Sequence, residues 1–134
     1  MKEILVDTDI LSMYLRGNKK VKSRFKEYLK SYSTINISIL TFYEILSGLK
    51  YKDAKKQLES FLQFCEVISI IPLTEEPSSR SADIYATLKR SGEMIDDVDI
   101  LIAGICLENN FTIVTNNTKH FSRIEDLKIA NWCQ

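Results

Sequence analysis

The sequence predicts an α/β domain with a mostly parallel sheet and helices on both faces of that sheet. Short β-rich apolar runs alternate with segments whose apolar residues recur at helical spacing. This alternation is typical of strand–helix–strand units, which build parallel sheets. A length of 134 residues with no internal repeat and no linker indicates one domain, residues 1–134.

Two kinds of segment carry this prediction. The predicted strands are residues 2–6, 34–38, 66–71, 111–115 and, as a short fifth, 127–130. The predicted helices are residues 10–15, 19–31, 41–49, 54–64, 78–90 (or 79–90) and 97–109. Asp9 is expected to cap the first helix, and Gly92 to close the fifth.

The composition excludes several classes of protein. With 45% hydrophobic and 27% charged residues, the chain is typical of a globular protein and not of a disordered one. The longest uncharged run, residues 31–43, is too short and too polar to span a bilayer, so no membrane contact is expected. The first segment reaches Asp7 after three apolar residues, which fits no signal peptide, and the expected location is cytoplasmic. The three cysteines and one histidine are too few for a zinc site or a disulfide framework.

The formal net charge is zero, but the two parts of the chain differ in charge. Residues 1–56 carry a balance of +6, and residues 57–134 carry a balance of −6. The basic residues cluster within residues 16–30 and again within residues 50–56. They form either solvated helix faces or contacts for the phosphate backbone of a nucleic acid.

Polar side chains follow the first and the fourth predicted strands. Asp7 comes directly after the first strand, with Asp9 two residues on, and Asn116 and Asn117 follow the fourth. In open parallel sheets, ligands bind outside the carboxyl ends of the strands near a topological switch point. These side chains are therefore candidates for one shared site, although Asp9 as a helix cap and the asparagines as a turn are simpler explanations.

Further acids lie on two predicted helices. Asp96 and Asp99 share a face at the start of an apolar helix, where they can also act as caps. Glu44 lies within an apolar run, and a buried carboxylate is costly unless it is paired or bound to a cation. A capping box from Thr41 to Glu44 is the alternative. Three separate segments nevertheless each place an acid where a parallel sheet would gather it.

Several carboxylates in one pocket would repel one another, which raises their pKa values or recruits a cation. Oxygen ligands without histidine or cysteine favour Mg²⁺ or Mn²⁺ over zinc. Such ions suit phosphodiester hydrolysis, because they neutralise the phosphate, acidify a bound water and stabilise the leaving oxygen. The chain has neither a G-x-S-x-G motif nor a P-loop that would favour other chemistry.

Four motifs carry a family resemblance. They are LVDTDIL at residues 5–11, YEILSG at 43–48, DDVDILIA at 96–103 and IVTNNTKHF at 113–121. In this order and at this spacing the chain resembles the PIN-domain ribonucleases and, within them, the VapC toxins of toxin–antitoxin pairs. The likeness extends essentially from end to end, including the closing residues 127–132.

The resemblance implies a three-layer α/β/α fold with a four- to five-stranded sheet, and a Mg²⁺-dependent endoribonuclease in which Mn²⁺ is the alternative ion. Asp7, Glu44 and Asp99 match the first, second and third acids of the family. Asp7 and Asp99 are the implied metal ligands. Glu44 would orient or deprotonate the attacking water, or reach the metal through a water. Cleavage would leave a 5′-phosphate and a 3′-hydroxyl.

At the fourth acidic position of many PIN domains, this chain has Asn117, with Asn116 beside it. An amide can ligate through its oxygen but adds no charge, so the number of bound ions, one or two, stays open. Asp96 is an extra acid that could make up part of the difference.

The resemblance also implies partners. They are an RNA substrate, a second copy in a homodimer, and a cognate VapB-like antitoxin whose own domain binds operator DNA. The basic residues could line an RNA groove that leads to the acidic pocket. Apolar residues that could contact the antitoxin or the second copy, or else belong to the core, are Leu11, Tyr14, Leu15, Phe42, Tyr43 and Leu46.

Two other functions compete with this interpretation. A flavodoxin-like phosphoacceptor domain would also place acids after the first strand, but its third strand would end in an acid, and this one ends in Ile71-Pro72. A catalytically silent PIN-like binding module is favoured by the Asn116-Asn117 pair. The sequence does not identify the RNA or the antitoxin.

Overall fold

The computed structural model describes residues 2–134, in which five short strands and seven helices are present. The strands are β1 (Ile4–Val6), β2 (Asn36–Ser38), β3 (Ser69–Ile71), β4 (Thr112–Val114) and β5 (Ile129–Ala130). The helices are α1 (Thr8–Leu15), α2 (Lys19–Tyr28), α3 (Ile39–Tyr51), α4 (Lys55–Cys65), α5 (Glu75–Ser91), α6 (Asp97–Asn109) and α7 (Thr118–Phe121). No helix in this part of the chain is both long and apolar enough to cross a membrane.

All five strands are parallel, and their order in the sheet is β3-β2-β1-β4-β5. Leu5 of β1 pairs with Asn36 of β2 on one side and with Ile113 of β4 on the other. The strand order therefore reverses direction between β1 and β4, which is the position where such sheets bind ligands. A flavodoxin-like sheet has the order 2-1-3-4-5, so the phosphoacceptor alternative is wrong.

Each face of the sheet is covered by helices and buries its own apolar core. Ile4 and Val6 of β1 belong to one core, which includes side chains from α1 to α4. Leu5 belongs to the other core, which includes side chains from α5, α6 and α7. Alternate side chains of a strand point to opposite faces, so β1 separates the two cores. The predicted three-layer α/β/α fold is confirmed.

Two predicted helix starts are wrong. Helix α1 begins at Thr8, and Asp7, not Asp9, caps it by accepting a hydrogen bond from the backbone N–H of Thr8. Helix α3 begins at Ile39 because the Ser38 side chain accepts from the backbone N–H of Thr41, three residues on. The proposed Thr41–Glu44 capping box is therefore absent, and Glu44 lies in the second turn of the helix.

Other boundaries differ for local reasons. Helix α5 begins at Glu75, before the predicted start, because Pro77 is compatible with the first turn of a helix. Strand β3 begins only at Ser69, since the backbone N–H groups of Glu66 and Val67 instead bond to the last turn of α4. The short helix α7 was not predicted. Helix α6 has the predicted bounds, and Gly92 closes α5 in the left-handed conformation as expected.

Helices α5 and α6 pack with their backbones unusually close. A Cβ atom on Gly104 of α6 would collide with Ser81 Oγ and lie 2.5 Å from the carbonyl oxygen of Pro77. Ser81 Oγ donates a hydrogen bond of 2.9 Å to the carbonyl oxygen of Ile100 in the first half of α6. This packing fixes the amino-terminal half of α6 relative to α5.

Candidate active site

Asp7 occupies the carboxyl end of β1 and is 5% exposed. Its Oδ1 accepts from the backbone N–H of Thr8 at 2.9 Å, and its Oδ2 accepts from the Thr115 hydroxyl at 2.7 Å. Burial, together with the negative charges of Asp9 and Asp99, raises the pKa of Asp7 from 3.8 to about 7, although these two hydrogen bonds oppose the rise. The surroundings of Asp7 therefore disfavour the ionised form of its carboxyl group, and a nearby cation would stabilise that form.

Asp9 lies in the first turn of α1, on the same side of the sheet edge. Its Oδ1 accepts from the backbone N–H of Ile10 at 2.7 Å, and its Oδ2 accepts from the backbone N–H of Asn116 at 3.0 Å. Burial raises the pKa of Asp9 despite these bonds. Asp9 was a candidate both for the shared site and for the cap of the first helix; its charge contributes to the raised pKa of Asp7, and the cap of α1 is Asp7.

Asp99 projects from the first turn of α6, with a side chain that is 16% exposed. Its Oδ2 lies 3.3 Å from Asn117 Nδ2 and 3.5 Å from His120 Nδ1. Burial raises the pKa of Asp99, and the charges of Asp96 and Glu44 add to the rise, whereas His120 opposes it. Asp96 itself is exposed and makes no capping hydrogen bond, so its contribution to the site is its charge.

Glu44 reaches the site from α3 and is held by a hydroxyl. The Thr8 hydroxyl donates to Glu44 Oε1 at 2.6 Å. The hydroxyls of Thr8 and Thr41 lie 3.0 Å apart, so Thr41 fixes the position of the Thr8 side chain. Because Thr8 follows Asp7 in the chain, this contact ties the carboxylate of α3 to the end of β1.

Asp7, Asp9, Glu44 and Asp99 form what is called here the acid cluster. Three consecutive residues after β4, the 115–117 loop, each give one hydrogen bond to a different member of the cluster. The bonds come from a hydroxyl, a backbone N–H and an amide in turn. The loop thus supplies donors to acids from the end of β1, from α1 and from α6. The only sequence signal for this role is that the loop follows a strand.

The structure brings together all four predicted site residues, although Asn117 differs from expectation. Its amide nitrogen faces Asp99, because an amide oxygen at 3.3 Å would place two acceptors against each other. Asn117 is therefore a donor to a carboxylate in this arrangement. His120, 2.9 Å from the Asn117 amide nitrogen, was missed as a site residue because its neighbours in space come from α6 and the 115–117 loop.

The acid cluster fits a hard divalent cation. All candidate ligands are oxygens, and among residues 2–134 no Lys or Arg side chain forms an ion pair with the cluster. The same residues contain no ready-made cage of three or more acidic, histidine or cysteine ligands. Mg²⁺ typically binds through one or two carboxylates and keeps several waters, so Asp7 and Asp99 suit it without such a cage.

A basic groove lies along the last turn of α1 and along α2. It has a volume of about 520 Å³ and is lined by Tyr14, Phe25 and Leu29 together with three exposed lysines, Lys19, Lys22 and Lys26. Tyr14 is seven residues beyond Asp7, which corresponds to about 10 Å along a helix. The groove contains part of the positive charge that the sequence places within residues 16–30.

The chain is similar in sequence to a known protein family and to several of its characterised members. The family model for the PIN domain matches residues 4–127. Ribonuclease VapC1 of Methanocaldococcus jannaschii is 32% identical over 124 residues, which cover 92% of this chain and 82% of that protein. The tRNA(fMet)-specific endonuclease VapC of Shigella flexneri is 26% identical over 134 residues, covering 98% of this chain and 99% of that protein.

The fold of the chain is also similar to that of a solved VapBC structure. The crystal structure of VapBC2 from Rickettsia felis, bound to a DNA fragment from its promoter, has a chain that superposes with a TM-score of 0.86 at 28% identity. The superposition covers 96% of this chain and 98% of that one. The matched family model, the relative at 32% identity and the shared sheet lead to one conclusion: this chain belongs to the PIN-domain family and to its VapC branch.

Proposed function

We propose that this protein is a divalent-metal-dependent endoribonuclease and the toxin of a VapBC-type toxin–antitoxin pair. The observation that carries the proposal is the convergence of Asp7, Glu44 and Asp99 at the switch point of the sheet, where burial and mutual repulsion raise the pKa values of Asp7 and Asp99. Clustered carboxylates without a Lys or Arg partner suit metal-assisted hydrolysis of a phosphodiester.

The residues of the cluster have separate roles. Asp7 and Asp99 would hold Mg²⁺ or Mn²⁺, which when bound supplies positive charge at the phosphate and acidifies a water. Glu44, oriented by the Thr8 hydroxyl, positions the attacking water and accepts its proton. Asn117 orients Asp99 through its amide nitrogen. Cleavage leaves a 5′-phosphate and a 3′-hydroxyl.

The basic groove along α1 and α2 provides the path for the RNA strand. Its lysines are exposed, and none of the ion pairs among residues 2–134 involves Lys19, Lys22 or Lys26. Phosphate contacts of this kind give affinity without sequence selectivity and weaken as salt rises. The lysines compensate for the repulsion between the acid cluster and the RNA backbone.

Partners are proposed from the relatives. The Rickettsia felis neighbour is a VapBC complex bound to promoter DNA, so a VapB-like antitoxin is the expected inhibitor and the expected route to operator DNA. Of six apolar residues considered for partner contacts, Leu11 is fully buried, and Tyr14, Phe42 and Leu46 pack against the core. Leu15 and Tyr43 are exposed, and they remain candidates for the antitoxin or homodimer interface.

Cleavage of RNA tests the proposal. Because the Shigella flexneri relative is named a tRNA(fMet)-specific endonuclease, initiator tRNA is the first substrate to try, followed by total cellular RNA with mapping of new 5′ ends. Wild-type protein is expected to cleave with Mg²⁺ and to stop when the ion is chelated. Asp7→Asn and Asp99→Asn are each expected to reduce the rate by at least about 10³-fold, since each removes a metal ligand.

Asp83→Asn is the matched control, because Asp83 is an exposed acid on α5 outside the cluster. Full activity of both cluster variants would show that the site is assigned wrongly. A wild-type protein that binds its antitoxin but cleaves none of these RNAs would instead identify the silent binding module.

A further inference from the structure

His120, the single histidine of the chain, lies at the edge of the acid cluster on α7. Its Nδ1 is 2.9 Å from Asn117 Nδ2 and 3.5 Å from Asp99 Oδ2, and its side chain is 37% exposed. The ring is thus fixed on one side by the site and open to solvent on the other. None of the roles proposed above uses it.

The neighbours of Nδ1 determine which ring nitrogen carries a proton. The Asn117 amide nitrogen has two protons, and its contacts with Asp99 Oδ2 and His120 Nδ1 are both within hydrogen-bond distance. With the amide in this orientation, one proton goes to the carboxylate and the other to a lone pair on Nδ1. A neutral ring whose Nδ1 accepts a hydrogen bond must carry its proton on Nε2.

The Nε2–H group is consequently a donor in either charge state, because a charged ring carries protons on both nitrogens. Among residues 2–134 no partner is present for His120 Nε2. A fixed donor at the rim of a metal-binding acid cluster, with its proton unused, is suited to a ligand oxygen that arrives from solvent.

We propose that His120 is a further catalytic residue, which donates a hydrogen bond from Nε2 to a non-bridging oxygen of the RNA phosphate that is cleaved. The proposal rests on the proposed function, because it requires that RNA phosphate to bind at the cluster. Negative charge on the phosphate oxygens has to be stabilised during attack by water, and donors held in place for this purpose contribute strongly. The acid cluster itself supplies acceptors, so His120 adds what the cluster lacks.

Two substitutions separate this role from a structural one. His120→Gln keeps a nitrogen donor near the position of Nε2, whereas His120→Asn keeps a polar atom near Nδ1 and removes Nε2. We expect His120→Gln to cleave within about threefold of wild type and His120→Asn to lose about 10²-fold in single-turnover rate, as for removal of one preorganised donor. The substrate is a synthetic oligoribonucleotide with the sequence that wild type cleaves in cellular RNA.

Phosphorothioate substrates identify the contacted atom. Sulfur in place of one non-bridging oxygen weakens a hydrogen bond from Nε2–H, so one diastereomer should slow wild type more than it slows His120→Asn. The thermal midpoint and the Mn²⁺ affinity of His120→Asn, measured by titration calorimetry, should match those of wild type. The thermal midpoint and the Mn²⁺ affinity are measured without any cleavage reaction.

Several results would overturn the proposal. If His120→Asn cleaves as fast as wild type, or if Gln and Asn lose activity equally, Nε2 does not contact the phosphate. Equal thio effects in wild type and His120→Asn would lead to the same conclusion. When wild type cleaves and Asp99→Asn does not, such results reject only the role of His120, whereas a wild type that cleaves no RNA rejects the proposed function as well.

Discussion

The two loops that meet at the switch point of the sheet contribute opposite chemistry. The turn from β1 into α1 supplies two carboxylates, Asp7 and Asp9, while the 115–117 loop supplies only hydrogen-bond donors to acids. Both loops follow neighbouring parallel strands that pair in register. The charge of the site and the groups that hold it in place therefore come from parts of the sequence more than one hundred positions apart.

This difference means that the two loops should respond differently to substitution. Removing a carboxylate relieves repulsion and should stabilise the metal-free fold while removing a ligand. Removing a donor leaves a buried acceptor unsatisfied, which costs about 1–3 kcal/mol, and should destabilise the fold. Stability and activity should thus change in opposite directions in the first loop and in the same direction in the second.

The largest effect is expected from the charge of Asp7. Its carboxyl has a pKa of about 7 in the folded chain and 3.8 as the ordinary value, so between these values the folded state binds more protons than the unfolded state. The free energy of unfolding without divalent ions should then decrease as pH rises from about 4 to about 7, by up to about 4 kcal/mol. Asp7→Asn should remove most of this decrease.

Urea unfolding across that pH range measures the effect, with Asp83→Asn as the control that should keep the wild-type slope. Adding Mg²⁺ to wild type above pH 7 should restore stability, because the cation offsets the repulsion. A wild-type pH dependence that persists unchanged in Asp7→Asn would contradict the assignment.

A smaller effect is expected in the opposite direction from Thr115. Thr115→Val keeps the shape of the side chain but removes the hydroxyl that donates to Asp7 Oδ2 and accepts from the backbone N–H of Asn117. The variant should lose about 1–3 kcal/mol of stability and should also cleave more slowly. Thr112→Val is the matched control on the same strand, since Thr112 is half-buried and lies at the other end of β4. Equal losses in both variants would argue against a specific role for the bond to Asp7.

The smallest effect concerns the support behind the 115–117 loop. Asn131 Nδ2 donates to Asn116 Oδ1 at 2.9 Å, and the backbone N–H of Asn116 holds Asp9. Asn131→Leu removes this bond and also the bonds that Asn131 Oδ1 accepts from the backbone N–H and the thiol of Cys133. The variant should lose about 0.5–1.5 kcal/mol of stability, and its cleavage rate should fall several-fold. The control is Asn109→Leu, which removes a side-chain bond to the carbonyl oxygen of Ile105 at the far end of α6. Its stability should decrease while its cleavage rate stays at the wild-type value.

Structural features that depend on local sequence pattern can be predicted from the sequence, whereas features that depend on contacts between distant residues cannot. Helix α6 has its predicted bounds because an apolar run between acidic and asparagine ends is a local signal. The start of α3 was misjudged because Ser38, the last residue of β2, satisfies the helix terminus. A single residue that ends one element and caps the next is difficult to recognise from pattern alone.

The same distinction applies to the site. Acids at strand ends can be predicted, because parallel strands place their carboxyl ends at one edge. The donors that hold those acids could not be predicted from the sequence. The pairing of Thr115 with Asp7, or of Thr8 with Glu44, depends on side-chain positions in the folded chain. The orientation of the Asn117 amide is likewise fixed by Asp99 and His120 and by nothing in its own segment.

The bond between Asp7 and Thr115 has a consequence for synthesis of the protein. It joins residues 108 positions apart, and β1 has no β4 neighbour until that part of the chain has been made. A growing polypeptide on the ribosome therefore has the first carboxylate of the site long before it has the strand that completes it. The hydrogen bonds that the 115–117 loop gives to the acid cluster therefore cannot form until that loop has left the exit tunnel.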